Sequence, residues 1–264
     1  MKTKKMIFLS AIFLFVHYAS AELKAYDGFR VPDDYKQRKE LNGTDGGTGF
    51  GKWQVDLSSD RGNSRRYVVS EKPVTYTDAK GNELVTAAGH LQCKSAGSGK
   101  GALTRNLNEA LEGTVWISFL TKMDEQIGYG WDIQFLDEKG DMQFKVMNGR
   151  AEQNRWRIQS AVQPSGKPKD GLFQSKPGMT PTDLTLIILK VENAGSDSDD
   201  GAVTAFLNPA DLRDAELTAM ASIKIKGVKL NALKTFCFDK KSNAEGTIDE
   251  LRFGESIEDV LPRQ

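Results

Sequence analysis

The apolar residues of this chain fall in short runs, and that spacing restricts its fold more than any other feature. The runs are about six to nine residues long and are separated by Gly, Asn, Asp, Pro and Ser. Strands of globular proteins have this length and these boundaries, whereas helices need longer amphipathic stretches. The spacing therefore predicts an all-β domain.

Two of the runs are apolar on both faces of a strand. They are GTVWISFL at residues 113–120 and DLTLIILKV at residues 183–191. Successive side chains of a strand point to opposite faces, so both runs belong in the middle of a packed layer. In a third run, Ile223 and Ile225 alternate with lysines, which indicates a strand with one wet face near a sheet edge.

Local turn and cap residues predict one hairpin and two short helical segments. Residues 129–136 and 142–147 flank the turn-like sequence DEKGD and should pair as a hairpin. Asn208 before Pro209 has the form of a helix N-cap followed by proline at the first helical position. Residues 106–111 are predicted as a further single helical turn.

These elements predict a two-sheet antiparallel β-sandwich of the jelly-roll type. A parallel α/β sheet is excluded because its crossovers need long helices. Neither an internal repeat nor a Pro-rich linker divides the sequence. We therefore expect a single domain over residues 22–264.

The N-terminal segment, residues 1–21, has the pattern of a secretory signal peptide. A lysine-rich start precedes an apolar run at residues 6–16 and the small residues Ala-Ser-Ala at 19–21. The apolar run is too short for a bilayer span, which takes about 20 residues. We expect a mature chain that starts at Glu22, lacks a membrane span and is secreted to an extracellular, periplasmic or cell-surface location.

Charge and histidine content exclude several classes of partner and site. Lys plus Arg and Asp plus Glu are both 36, so no net positive field gathers nucleic acid. The chain has 2 His, which leaves little room for histidine-based catalysis or metal binding. We expect no nucleic-acid partner.

The 2 cysteines leave two alternatives open. A disulfide between Cys93 and Cys237 is allowed in an exported protein. Each cysteine also lies in an apolar strand-like run, where a buried thiol packs as a small hydrophobic group.

Segments of the chain occur in the order seen in one group of secreted proteins. They are AYDGF at 25–29, DGGTGFGKW at 45–53, GTVWISFL at 113–120, VENAGSDSDDGAVTAFLNP at 191–209 and GTIDELRFG at 246–254. Together they resemble the secreted bacterial laminin-G-like jelly rolls of the concanavalin A-like lectin/glucanase superfamily, over nearly the whole mature chain. The resemblance implies a two-sheet sandwich that binds glycans or proteins, with hydrolases a minority form.

The hydrolase branch of that superfamily has a recognisable acid motif. Its laminarinase-like members carry Glu-x-Asp-x-x-Glu or a close variant, which places carboxylates on one face beside the sugar bond. This sequence has no match, and its nearest stretch, residues 245–250, coincides with the expected closing strand. We assign no catalytic residue and expect no enzyme of this type, while a lyase using Tyr, Lys or Arg stays open.

Carbohydrate binding needs an exposed aromatic ring beside a few polar groups, because one side of a sugar is apolar while its hydroxyls need partners. The candidates are Trp131 with its neighbours Asp132 and Gln134, and Trp156, which lies between two arginines. We expect these side chains on a concave sheet. The alternative for any tryptophan of a sandwich is a core position. The tryptophans expected in the core are Trp53 and Trp116.

One acidic loop is a candidate calcium site. Asp197, Asp199 and Asp200 follow Asn193 in a Gly-flanked stretch, and Ca²⁺ takes oxygen ligands of this kind. The spacing departs from the EF-hand loop. The alternative is a solvated acidic turn between two strands, since turns collect Asp, Gly and Ser.

Three functions follow from these observations. The first is a non-catalytic extracellular module that binds a polysaccharide or surface glycan. The second is a structural protein of the cell envelope that binds neighbouring proteins and no sugar. The third is a polysaccharide hydrolase or lyase with catalytic residues of another pattern.

Overall fold

The chain folds into two antiparallel β-sheets packed face to face, seen in a computed structural model. The structure describes residues 22–31, 33–36, 41–56, 67–93, 101–124, 131–148, 156–162, 168–172, 182–240 and 245–262. The strands are β1 Leu23–Asp27, β2 Gln54–Asp56, β3 Tyr67–Ser70, β4 His90–Cys93, β5 Gly101–Leu111, β6 Gly113–Met123, β7 Trp131–Leu136, β8 Met142–Asn148, β9 Trp156–Val162, β10 Pro168–Leu172, β11 Thr185–Ala194, β12 Gly201–Pro209, β13 Ala219–Val228, β14 Leu233–Lys240 and β15 Gly246–Gly254. The helical segments are a 3₁₀ turn Leu212–Asp214, α1 Ala215–Thr218 and α2 Ile257–Val260.

Within the described ranges, one sheet has eight strands and the other has seven. The eight-stranded sheet runs in the order β13-β12-β11-β6-β15-β4-β3, with β1 also paired to β15. The seven-stranded sheet runs in the order β10-β9-β8-β7-β14-β5-β2. This architecture confirms the predicted all-β sandwich.

The main core lies between the two sheets. From the eight-stranded sheet, β6 contributes Val115, Ile117 and Phe119 to it. From the other sheet, Phe135 and Phe144 stack with ring centroids 4.6 Å apart. Such aromatic pairs add about 0.5–1.5 kcal/mol beyond the area they bury.

A second apolar cluster covers the outer face of the eight-stranded sheet. Trp116 and Leu120 point away from the main core and pack with Tyr76, Leu212 and Val260. This cover explains why the run at residues 113–120 is apolar on both faces. The prediction that it occupies the middle of a packed layer is confirmed, since β6 lies between β11 and β15.

The lysine-alternating strand lies at a sheet edge, as predicted. It is β13, the outermost strand of the eight-stranded sheet. Ile225 is buried, and Lys224 and Lys226 are exposed. Charged side chains on an edge strand discourage pairing with another chain.

The helical predictions were partly wrong. Residues 106–111 belong to β5, and Asn208 ends a strand instead of capping a helix. Its side-chain oxygen accepts a hydrogen bond from the Leu186 amide at 2.8 Å. The cap is Asp211, whose side chain accepts from the Arg213 amide at 2.9 Å. No helix among the described residues is long and apolar enough to cross a membrane.

The predicted hairpin is confirmed by the antiparallel pairing of β7 with β8. Asp137 begins its turn and accepts hydrogen bonds from the amides of Lys139 and Asp141 at 2.9 and 2.8 Å. Gly140 has φ +84°, a conformation that glycine adopts without steric cost. The hairpin fixes the register between β7 and β8.

Candidate functional site

The two outer faces of the sandwich have opposite character. Ile133 and Phe135 of β7 belong to the main core, so strand alternation turns Asp132 and Gln134 outward. The apolar clusters formed by described residues lie between the sheets and over the eight-stranded sheet. The outer face of the seven-stranded sheet therefore has no apolar cover within the described part of the chain.

Strand register aligns one row of side chains across this face. From the edge strand β2 to β9, which is next to the other edge strand β10, the row consists of Gln54, Thr104, Cys237, Gln134, Lys145 and Gln159. We call these residues the polar row. Neighbouring strands are about 4.8 Å apart, so the row is about 24 Å long. Its glutamine amides both donate and accept hydrogen bonds.

Charged side chains lie beside the polar row. Asp239 of β14 is opposite Asp132 of β7, and Arg157 follows in the same line two strands further on. Lys145 Nζ donates to Asp132 Oδ2 at 2.9 Å. Gln134 Nε2 donates to Asp239 Oδ2 at 3.0 Å. We call the polar row together with Asp132, Asp239 and Arg157 the ligand face.

Two of the residues proposed from the sequence lie on this face. Asp132 is buried and Gln134 is half-buried. Trp131 is the first residue of β7, and its backbone pairs with Lys240 of β14. The Trp131 side chain lies outside the described residues, so its proposed contact with sugar stays a prediction.

Trp156 does not lie on the face, and its proposed role in sugar binding is overturned by its burial. It is 1% exposed and packs in the main core with Ile158. Strand alternation then turns Arg157 and Gln159 outward. A polar neighbour on a strand faces the opposite way, so Arg157 indicates a buried position for this tryptophan. Trp53 and Trp116 are also buried, as expected.

The acidic loop between β11 and β12 does not gather its carboxylates. Asp197 is fully exposed and pairs with Lys229 Nζ at 3.3 Å. The Asp200 carboxylate accepts hydrogen bonds from the Ser196 and Ser198 hydroxyls. Within the described ranges, no group of three or more acidic, His or Cys side chains could hold a metal ion. The arrangement matches a solvated turn, and calcium binding by Asp197, Asp199 and Asp200 has no geometric support.

Asp27 and Trp53, from the segments at residues 25–29 and 45–53, belong to a buried polar network. The Asp27 carboxylate accepts hydrogen bonds from the Tyr35 hydroxyl, the Trp53 indole and the Arg105 guanidinium. Cζ of Arg105 also lies 4.5 Å from the ring centroid of Phe50. We call Asp27, Tyr35, Trp53 and Arg105 the core network. It ties β1 and β5 to the glycine-rich segment between β1 and β2.

Burial dominates the electrostatics of the core network. It raises the pKa of Asp27 from an ordinary 3.8 to about 6, and the charge of Arg105 opposes the rise. Burial also raises the pKa of Tyr35, and the charge of Asp27 adds to that rise. Both charged side chains of the ion pair are 0% exposed. The core network is therefore a structural element inside the fold.

Glycine is required where this segment crosses β1. Gly49 has φ +75°, and a Cβ there would lie 2.0 Å from the Lys24 carbonyl oxygen. The adjacent Thr48 exchanges backbone hydrogen bonds with Tyr26 at 2.8 and 2.9 Å. The glycine-rich sequence therefore serves close backbone packing.

The closing strand β15 contains a second buried network. A β-bulge between Asp249 and Arg252 interrupts its register with β6, and Glu250 there has φ +54°. The Glu250 carboxylate accepts hydrogen bonds from the Tyr26 hydroxyl at 3.1 Å and from the Arg252 guanidinium. Burial raises the pKa values of Asp249 and Glu250. Every residue of β15 is buried, as expected of a core strand.

His90 and the two cysteines lie in buried positions, which indicates structural roles. His90 is mostly buried, with Nδ1 2.7 Å from the Lys72 carbonyl oxygen, and burial lowers its pKa. Cys93 and Cys237 are buried and are not joined by a disulfide. Cys93 lies in the main core on β4 of the eight-stranded sheet, whereas Cys237 lies on β14 of the other sheet. The disulfide alternative is therefore wrong.

Comparison with known proteins finds likeness of fold only. No family model matches the chain, and no curated protein matches it in sequence. An endo-β-1,4-glucuronan lyase of Trichoderma reesei is 9% identical with a TM-score of 0.46, over 74% of this chain and 92% of that chain. The PL-14 alginate lyase of Aplysia kurodai is 8% identical with a TM-score of 0.48, over 75% of this chain and 92% of that chain.

A lectin domain shows a similar degree of likeness. The exoplasmic/lumenal domain of VIP36, in its Ca²⁺/Man3GlcNAc-bound form, is 9% identical with a TM-score of 0.43. The alignment covers 74% of this chain and 86% of that chain. At such identities and scores, none of these proteins indicates what this chain binds.

Sequence reasoning missed most members of the ligand face. Thr104, Lys145, Gln159 and Asp239 come from four different strands and share no local motif. Alternation within each strand predicts which way each side chain points. Their alignment into one row depends on the order of the strands, which local sequence does not encode.

Proposed function

We propose that this protein is a non-catalytic extracellular module that binds a polysaccharide or surface glycan on the ligand face. The observation that carries the proposal is the difference between the two outer faces. One face is covered by apolar side chains, while the other has a row about 24 Å long in which amide and hydroxyl groups alternate with the Cys237 thiol and the Lys145 ammonium group. Repeated donors and acceptors in a line suit the repeated hydroxyls of a sugar chain.

Gln134 has a central place in the proposed site. It lies between Cys237 and Lys145 in the polar row, and its amide also orients Asp239. A fixed amide loses less conformational freedom on binding than a mobile one.

A glycan array probed with the purified mature protein tests the proposal. Wild type should bind at least one glycan, and Gln134→Ala should weaken that binding about tenfold, which corresponds to about 1.4 kcal/mol. The matched control is Gln92→Ala, a half-buried glutamine on β4 of the other sheet. The control should bind like wild type. Silence of the wild type, or equal loss in both variants, would contradict the proposal.

A second candidate function is glycoside hydrolysis. Asp132 and Asp239 are directly opposite on neighbouring strands, where β-carbons are about 4.5–5.5 Å apart. Retaining glycosidases hold two carboxyl groups about 5–5.5 Å apart. Both carboxylates already have partners, Lys145 and Gln134, and Asp132 is 3% exposed. The binding proposal is therefore preferred.

Product formation separates the two candidates. Each glycan bound on the array is incubated with wild type and with Asp239→Asn, and reducing ends and unsaturated products are measured. The binding proposal expects no products from either protein. Products from wild type that Asp239→Asn fails to form would establish the enzyme instead.

The site of action is proposed from the sequence of residues 1–21. We propose that this segment is removed on export and that residues 22–264 form the mature domain outside the cytoplasm. The mass of the protein recovered from the exporting cell tests this. A mature N-terminus at Glu22 supports the proposal, and an intact chain that starts at Met1 contradicts it.

A further inference from the structure

We propose that the ligand face selects uncharged sugar chains and rejects polyanionic ones, which deepens the function proposed above and rests on it. The observation behind this inference is the charge balance of the face. Its described charged side chains are two acids, Asp132 and Asp239, and two bases, Lys145 and Arg157. Their formal charges cancel.

The two acids lie where a bound chain would cross the centre of the face. Asp239 and Asp132 are direct cross-strand neighbours on β14 and β7, and β7 has three strands on one side and three on the other. A uronate or sulfate placed there meets two carboxylates. Like charges at close range repel, and the repulsion is larger near a protein surface than in bulk water.

The central lysine does not offset this repulsion. Lys145 Nζ is 2.9 Å from Asp132 Oδ2, and the lysine side chain is 16% exposed. An anion that recruited Lys145 would have to compete with Asp132 and break that ion pair. Such a loss is costly for a side chain that is only 5% exposed. The pair therefore acts against anionic ligands.

The rest of the row suits neutral hydroxyl groups. Gln54, Thr104, Gln134 and Gln159 carry no charge and occupy four different strands. Amides and hydroxyls can donate to and accept from sugar hydroxyls. The row therefore combines attraction for an uncharged chain with repulsion of an acidic one, which is how selective sites discriminate.

The test compares two sets of soluble polysaccharides with the full mature protein. Laminarin, galactomannan and arabinoxylan are the neutral probes, and alginate, polygalacturonate and heparin are the acidic probes. Affinity electrophoresis is run at low and at high NaCl. We expect binding to at least one neutral probe that does not change with salt, and no binding to the acidic probes.

Removing the negative charge of Asp239 should weaken the discrimination against acidic polysaccharides. Asp239→Asn keeps the side-chain shape and an acceptor for Gln134, and gives the face one net positive charge. The variant should gain binding to polygalacturonate at low NaCl, which wild type lacks, and should lose it again as NaCl is added. The control is Glu192→Gln on β11 of the other sheet, where Glu192 pairs with Lys224. This control makes the same change in total charge and should bind no acidic probe.

The outcomes distinguish failure of the charge selection from failure of the proposed carbohydrate binding. Binding of wild type to acidic probes alone would overturn the selection and leave carbohydrate binding in place. Equal gains in Asp239→Asn and Glu192→Gln would also overturn it, because they would show an effect of total charge. Failure of every probe, with silence on the glycan array, would overturn both.

Discussion

Polar groups inside this sandwich and polar groups on its ligand face are organised in opposite ways. Asp27 and Arg105 of the core network have 0% exposed side chains. Asp132 and Lys145 of the ligand face have 5% and 16% exposed side chains. Asp27 of the inner pair comes from a segment with a recognisable sequence pattern, whereas the outer groups are aligned only by register. Recognisable motifs therefore point to what holds this fold together, while the proposed ligand site has no motif.

The comparison predicts where substitutions affect stability. The inner pair is enclosed, so loss of one partner leaves an uncompensated charge. The outer pair is also mostly buried, but its lysine is 16% exposed, so solvent offsets part of the loss of one partner. Glycan binding should show the reverse: substitutions on the ligand face should weaken it, and substitutions in the core network should leave it unchanged.

The largest effect is expected for Arg105→Met. The substitution leaves the buried Asp27 carboxylate without its cation and should lower the free energy of unfolding by about 3–5 kcal/mol. Urea denaturation measures this change. A loss under about 1 kcal/mol would show that the core network is not a structural element. At temperatures where the variant stays folded, its glycan binding should equal that of wild type.

A pH-dependent effect of somewhat smaller size is expected from Asp27. Its pKa is about 6 in the folded protein against an ordinary 3.8, so between these values the folded protein holds a proton that the unfolded chain has lost. The stability that this group contributes is complete below pH 3.8 and is lost as pH rises through about 6. The difference corresponds to about 3 kcal/mol.

Asp27→Asn isolates this contribution from those of other acids. The free energy of unfolding of wild type minus that of the variant should fall between pH 4 and pH 7, because asparagine has no such proton. Urea denaturation at several pH values measures both curves. Parallel curves would contradict the account of Asp27.

An intermediate effect is expected for Lys145→Met on the ligand face. The ion pair with Asp132 is mostly buried, but its lysine is partly exposed, so its loss should lower the free energy of unfolding by about 2 kcal/mol, less than the loss in Arg105→Met. Urea denaturation compares this loss of unfolding free energy with that of Arg105→Met. Equal losses for the two variants would remove the distinction between inner and outer polar groups.

The smallest effect on stability is expected for Gln134→Ala. A half-buried amide on an outer face should change the free energy of unfolding by no more than about 0.5 kcal/mol, although glycan binding weakens. Thermal unfolding and array binding are measured on the same sample. Binding that is lost only together with stability would mean that the glutamine acts through the fold.

Calcium is expected to have no effect on thermal stability. Asp197, Asp199 and Asp200 do not converge, so thermal unfolding should be the same in calcium and in chelator. A rise in the unfolding temperature with calcium, lost in Asp200→Asn, would contradict this expectation.

The sequence predicted the layers of this molecule better than its site. The central position of β6, which is apolar on both faces, and the edge position of β13, which carries lysines on one face, could be predicted from the alternation of side chains. Alternation is a local property of a strand. Asn208 was misassigned because its side chain bonds to Leu186 on a neighbouring strand, a contact that no local pattern contains. The polar row was missed for the same reason, since its members meet only after six strands have paired in order.

Alkylation of the two thiols tests the central claim most directly. Cys237 lies in the polar row between Thr104 and Gln134, while Cys93 lies in the main core. Iodoacetamide labelling is followed by mass spectrometry with and without a saturating neutral polysaccharide from the panel above. Ligand binding stabilises the fold and slows labelling of any buried thiol, so we predict that labelling of Cys237 slows more than labelling of Cys93. Saturated binding that leaves the labelling of Cys237 unchanged, or slows both thiols equally, would contradict a ligand on this face.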